Sequence, residues 1–387
     1  MKNFIYQNPT KIIFGKDTHK NVGEEVAKYG KKVLLHYGGS SIKKSGLYDI
    51  VIKSLKENNI EVVELGGVVP NPRLSMVYKG IDLIKSEDID FILAVGGGSV
   101  IDSAKAISAG AKYDGDVWDF LKSPKAIEDG IPLGTIVTLP ATGSEMNTRC
   151  VITKDDTQEK RGASFLNPTF SIINAELCAT LPKHQVANGI VDMFSHCLER
   201  YFTTSDNVEV TDRLLEANMK TILSLGLDVY KDPSDYDKYA QLFWAGTVAH
   251  NYSLCVGRTT DWASHQIEHE ISGMFDVAHG AGLAVVFPAW MKYVYKEDLN
   301  RFAMFAVRVM NIEMDFFDLE KTALKGIEAV EDYFAKLDMP SNLKELGVDE
   351  ASIKQLALDT TRNDTITQGT FKVLKSEDVE KILELAR

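Results

Sequence analysis

The sequence predicts an α/β N-terminal domain built on a parallel sheet, residues 1–182, followed by an all-α C-terminal domain, residues 183–387. Three observations carry this. Before Pro182, short β-branched runs alternate with amphipathic stretches of helical period, the pattern of strands joined by crossover helices. Glycine-rich turns follow two of those runs. After Pro182 the β-branched runs thin out and a 3.6-residue period takes over.

The elements follow in order. Asn3 to Phe14 reads as a strand without an obvious partner, suited to pairing across a dimer. Lys31 to Tyr37 is a strand ending at Gly38-Gly39; Leu47 to Asn58 is a helix, Glu61 to Leu65 a strand and Leu74 to Ser86 a helix. Phe91 to Val95 is a strand that runs into Gly96-Gly97-Gly98-Ser99 and a helix from Val100 to Ala109. Leu133 to Leu139 is another strand. The second half reads as helices over Asn188 to Tyr201, Asn207 to Leu225, Tyr236 to Ala249, Asp261 to Gly273 and Ala281 to Tyr295, with several more to Arg387. Asp261 is placed to cap its helix and Gly273 to stop it.

Composition narrows the function classes. With 44% hydrophobic and 25% charged residues the chain is an ordinary globular protein. A net charge of −12 opposes nucleic acid and anionic membrane as partners. Cys150, Cys178, Cys197 and Cys255 are scattered, without a C-x-x-C pair, and read as buried thiols of a reducing cytoplasm. The N-terminus lacks an apolar signal segment and no run approaches a spanning helix, so the expected location is cytoplasmic.

Two groups of residues carry chemistry. Asp192 and His196 stand four apart, on one face of a helix, and His265 and His279 supply two further imidazoles. One carboxylate and three imidazoles suit iron, zinc, cobalt or nickel and leave a coordination position for a substrate oxygen. His279 lies in Ala278-His279-Gly280-Ala281-Gly282, whose glycines are read as allowing close approach of the backbone to a ligand. The second group is Gly96-Gly97-Gly98-Ser99: backbone N–H groups at a helix N-terminus form a phosphate cradle. It matches neither the usual dinucleotide fingerprint nor a Walker loop. From His36 to Gly46 there is no Asp or Glu to bind an adenosine ribose, and hydroxyls and lysines are present instead, which favours NADP over NAD.

Pro70-Asn71-Pro72, Gly96 to Ser99 with Val100-Ile101-Asp102-Ser103-Ala104-Lys105, Thr138 to Glu145, Asn188 to Asp192 with His196, and His265, His269 and His279 with Gly280 run in order along nearly the whole chain. In these motifs the chain resembles the iron-containing (type III, metal-dependent) alcohol dehydrogenases, in the branch of NADPH-dependent butanol dehydrogenases and aldehyde reductases. The resemblance implies a Rossmann-like sheet domain with a helical domain, in a dehydroquinate synthase-like architecture whose two domains share one cleft. It implies that Asp192, His196, His265 and His279 bind one divalent metal, Fe2+ foremost and Zn2+ second. It implies that Gly38, Ser40, Asn71, Gly97, Gly98, Ser99, Asp102, Thr138, Leu139, Thr142, Ser144, Asn147, Lys160 and Leu181 bind NADP(H). Leu139 departs from the family's common second threonine.

The expected reaction is hydride transfer between the nicotinamide and a small aldehyde or primary alcohol, with the metal polarising the substrate oxygen. His269, one turn past His265, is the candidate proton relay. A homodimer is expected. The alternatives are a polyol or glycerol dehydrogenase of the same fold, or a metal-dependent hydrolase.

Overall fold

The computed structural model describes residues 1–123 and 125–387. The chain divides into two compact units. The first is Gln7–Leu181 with Ser234–Phe243; the second is Met1–Tyr6, Pro182–Pro233 and Trp244–Arg387. The division after Leu181 lies one residue from the expected one, but the first six residues group with the helices and residues 234–243 with the sheet.

The first unit carries a six-stranded, wholly parallel sheet: β1 (Lys11–Phe14), β2 (Lys32–Tyr37), β3 (Glu61–Leu65), β4 (Phe91–Gly96), β5 (Leu133–Val137) and β8 (Phe170–Ile173), in the order β1-β8-β5-β4-β2-β3. A strand covered on both faces has no polar side to alternate, which is why β4 reads as the unbroken run FILAVG, buried throughout. Phe91 and Phe170 stack at 5.8 Å within a core that includes Val33, Leu35, Leu93, Val95 and Ile136. From β2 the chain runs outward to β3 and then returns to β2's other side, so β2 and β4 flank the point where the winding reverses. Tyr37 pairs with Val95 and Gly96 with Val137, so the turns after β2 and β4 leave the same end of the sheet.

Two expectations are corrected here. Residues 3–10 are not strand; only Lys11–Phe14 is, and it pairs with β8. A hairpin of β6 (Arg149–Thr153) and β7 (Lys160–Ser164) escaped the sequence reading because KRGAS has neither the alternation nor the β-branching of a strand.

The second unit is helical. Its helix Lys183–Tyr201 starts five residues before the expected one and is buried at every position from Gly189 to Tyr201, so over that stretch it is a core helix without a solvent face. The helices Glu209–Lys231 and His279–Val294 pack on it. Among the described residues no helix is long and apolar enough to cross a membrane.

Candidate functional site

In the sheet unit, Gly97 caps the helix Gly98–Ala111 with extended backbone. A Cβ on Gly98 would stand 2.5 Å from Thr142 Cγ2, and one on Gly97 would stand 3.3 Å from Leu139 Cβ. The helix start is thus seated directly on the turn that follows β5. Below it, Asp102 Oδ1 accepts from Ser144 Oγ (2.6 Å) and Oδ2 from Val151 N (2.9 Å). Lys105, fully buried, donates to Ser144 Oγ (2.7 Å), Asn147 Oδ1 (3.2 Å) and the Arg149 carbonyl (2.8 Å), all three protons of its ammonium. Burial pushes the Lys105 pKa down to about 8, and Asp102 opposes that shift. Burial pushes the Asp102 carboxyl up.

The other expected dinucleotide residues lie in the same unit. Thr138 N–H donates to the Gly96 carbonyl (3.1 Å), and the Thr138 carbonyl accepts from Cys178 Sγ, whose own carbonyl receives Leu181 N–H. Asn71 adopts left-handed backbone (φ 53°) beside Pro72, whose carbonyl accepts from Thr153 N–H; Thr153 pairs with Lys160 in the hairpin. Gly38 and Ser40 lie after β2, where the Gly38 carbonyl accepts from Gly67 N–H. There the fold adds a carboxylate that residues 36–46 lack: Glu64 of β3 accepts from Tyr37 (2.8 Å) and Tyr48 (2.5 Å) and pairs with Lys43 at 3.5 Å. Lys105 and Glu64 were both outside the expected set.

In the helical unit, Asp192 Oδ1 lies 3.4 Å from His196 Nε2, 3.8 Å from His265 Nε2 and 3.6 Å from His279 Nε2. Four donors about 2.1 Å from a common ion in a tetrahedron are about 3.4 Å apart. Asp192, His265 and His279 also place one donor atom each within 4.8 Å of one another; His196 joins the group through Asp192. Asp192 Oδ1 and His265 Nε2 are buried without a hydrogen-bond partner. Such orphaned atoms are costly unless something else engages them, and these are the atoms a divalent cation would take. The donor set fits the metal the sequence implies.

Two buried carboxylates aim the rings. Glu199 Oε1 accepts from His265 Nδ1 (2.7 Å) and His265 N (3.1 Å), while its Oε2 accepts from Trp262 N (2.5 Å). Glu268 accepts from His279 Nδ1 and from Ser272 Oγ. With Nδ1 donating, Nε2 is left to face Asp192. Each carboxylate sits three residues after one histidine and orients the next: His196 and Glu199 on one helix, then His265 and Glu268 on another. Sequence reasoning missed both, although the repeated H-x-x-E spacing was visible.

Burial lowers the His265 pKa, but Asp192 and Glu199 outweigh it and raise the pKa to about 9. Burial, then His265 and Arg200, drive His196 well below its ordinary value. His269 is buried, with its ring 5.5 Å from that of His279. The expected cap is corrected: the helix is Ala263–Phe275, entered through Trp262 at φ 74°, with Gly273 inside it. That left-handed tryptophan, unfavourable for a bulky residue, is held by the bond from its N–H to Glu199. Asp261 instead accepts from Thr370 N, Phe371 N and Ala263 N. The glycines after His279 also serve a different purpose from the expected one. A Cβ on Gly280 would lie 2.3 Å from the Asn188 carbonyl, so it brings His279 against the helix that carries Asp192, and one on Gly282 would lie 2.7 Å from Glu268 Cγ, so it lets its own helix approach the carboxylate that aims His279.

The chain is similar to known proteins along nearly its whole length. Residues 9–175 match the family model described as iron-containing alcohol dehydrogenase, and residues 186–387 its C-terminal counterpart. The chain is 43% identical to the probable NADH-dependent butanol dehydrogenase 1 of Bacillus subtilis, over 99% of both chains. It is 35% identical to the NADPH-dependent aldehyde reductase YqhD of Escherichia coli, over all of both. The crystal structure of NADH-dependent butanol dehydrogenase A from Thermotoga maritima superposes with a TM-score of 0.95 at 43% identity, covering 100% of this chain and 99% of that one.

Proposed function

The chain belongs to the iron-containing alcohol dehydrogenase family, and we propose that it interconverts small aldehydes and primary alcohols with a nicotinamide dinucleotide as hydride partner. The observation that carries this reading is the convergence of three imidazole Nε2 atoms on one orphaned carboxylate oxygen, Asp192 Oδ1, at 3.4 to 3.8 Å. A divalent ion bound there, Fe2+ foremost and Zn2+ second, supplies Lewis-acid polarisation of the substrate oxygen.

The protein's own residues do the rest. Glu199 and Glu268 accept from the Nδ1 atoms of His265 and His279 and so aim their Nε2 atoms toward Asp192. His269 holds the proton that the carbonyl oxygen gains on reduction. Gly97 and Gly98 open the helix start to a pyrophosphate, and Asp102, Ser144 and Lys105 fix the adjoining turn.

NADPH is assigned as the preferred dinucleotide, because residues 36–46 carry Lys43 and Lys44 and no carboxylate. NADH is the second reading: Glu64 reaches this turn through Tyr37 and Lys43, and the Bacillus and Thermotoga relatives are named NADH-dependent. Steady-state reduction of butanal by anaerobically iron-loaded protein separates them, with kcat/KM higher for NADPH on the first reading and lower on the second. Glycerol oxidation with NAD faster than butanal reduction would replace the aldehyde assignment by a polyol one. Failure to bind either reduced dinucleotide at sub-millimolar concentration would leave a hydrolase.

A further inference from the structure

Two of the three imidazoles facing Asp192 are aimed by a carboxylate, and the third is not. His196 Nδ1 is buried without a hydrogen-bond partner, so no second hydrogen bond fixes that ring's plane. A further histidine outside the ligand set lies against it. His250, 4% exposed, stacks on His196 with centroids 4.1 Å apart and planes 5° from parallel. His196 also stacks on His265, at 5.0 Å and 18°. His250 is itself pinned: Arg200, 1% exposed, donates through Nη2 to His250 Nδ1 and through Nη1 to the His196 carbonyl (2.5 Å). A guanidinium donating to Nδ1 requires a lone pair there, so His250 is neutral and carries its proton on Nε2. Trp262 closes the group, 5.3 Å from His250 and 6.0 Å from His196, with the Arg200 guanidinium 4.9 Å from its ring centre.

We infer that His250 is a positioning residue for the metal site, whose flat face, locked by Arg200, holds the His196 ring with Nε2 toward Asp192. Stacking does for His196 what Glu199 and Glu268 do for the other two rings. The inference rests on the metal reading of Asp192, His196, His265 and His279. Second-sphere groups of this kind change metal affinity about 10- to 100-fold, and a single stacked pair belongs at the lower end.

The test is Co2+ affinity of the metal-stripped full-length protein, measured by competition with a chromophoric chelator, together with the visible spectrum of the bound cobalt. His250→Ala removes the plate and is expected to weaken Co2+ about 10-fold and to alter the cobalt bands. His250→Phe keeps a flat ring while losing the Arg200 bond, and is expected to stay within about 3-fold of wild type. Wild-type affinity and spectrum in His250→Ala overturns the inference. Equal loss in both variants overturns it too, since stacking would not be the operative contact. If His250→Ala fails to fold, His250→Phe decides by the same limit. The His265→Ala control separates the two readings: wild-type Co2+ affinity in that variant removes the metal site itself, and with it any role for His250.

Discussion

Two sites of the molecule, one in each unit, hold their polar groups in opposite ways. At the glycine turn of the sheet unit, Asp102 and Lys105 are buried and satisfied, the carboxylate by Ser144 and Val151 and the ammonium by Ser144, Asn147 and Arg149. In the helical unit, Asp192 Oδ1, His196 Nδ1 and His265 Nε2 are buried without partners, and the Nε2 atoms lie within 4 Å of the one carboxylate oxygen. Buried polar atoms are nearly always paired, so the first region is complete as it stands, while Asp192 Oδ1 and His265 Nε2 are atoms that a bound cation would engage. A dinucleotide cradle can be prepaid in backbone geometry, whereas an ion site must leave its donors open.

The strongest way to break that contrast is His265→Ala. Removing an open donor is expected to lower kcat about 1,000-fold or more, since Lewis-acid stabilisation amounts to several kcal/mol. Dinucleotide affinity, measured by NAD(P)H fluorescence, should stay within about 3-fold of wild type. Equal losses in both would mean that the histidine is structural and the regions are not separable. Glu199→Gln comes next. Its carboxylate accepts three N–H groups, and an amide there turns a donor toward one of them. Metal affinity should fall about 10- to 100-fold; an unchanged value would show that the ring of His265 is aimed by packing alone.

How much of this could be read from the chain depends on what kind of residue carries it. The β4 turn was legible because FILAV followed by Gly96-Gly97-Gly98 joins two unambiguous signals, and Asp192 with His196 was legible because a period of four puts both on one helix face. Glu199 and Glu268 were not, since a buried glutamate looks like a surface one until its partner on another helix is known. Lys105 was hidden for the same reason: its acceptors lie 39 to 44 residues away. Trp262 displaced the expected helix start because nothing in DWASH announces a left-handed tryptophan. Gly280 and Gly282 were seen, but their packing against Asn188 and Glu268 is a tertiary fact.

Lys105→Met probes the satisfied region in the same way. It leaves Ser144 and Asn147 without their shared donor and Asp102 with Arg149 but without the Lys105 ammonium, so the turn that seats Gly98 loosens. Dinucleotide affinity should weaken about 10-fold, in line with a lost charge-assisted hydrogen bond, while Co2+ affinity is unchanged. Adding Asp102→Asn should recover part of the thermal stability, because a buried anion that has lost its strongest counter-charge is then removed. A loss of Co2+ binding equal to the loss of dinucleotide binding would undo the comparison.

The smallest effect at neutral pH is expected at His36, the last residue but one of β2. Its Nδ1 donates to the Leu65 carbonyl (3.0 Å) and its Nε2 meets Ser103 Oγ (2.9 Å), which ties β2 to β3 and to the helix after the glycine turn. Complete burial lowers its pKa to about 4, against a hydrogen bond to Leu65 that pulls the other way. Between pH 6.5 and 4 the unfolded chain therefore binds a proton that the folded chain refuses, and stability falls as the pH falls through that window. At about 1.4 kcal/mol per pH unit the loss from this one group reaches about 3 kcal/mol by pH 4. Denaturant unfolding across pH 4 to 7 should show that slope in the wild type and a flatter one in His36→Gln. If the slopes coincide, the acid sensitivity lies with other groups such as His196, whose burial also holds its pKa well down, and the region that is complete at neutral pH is complete in acid as well.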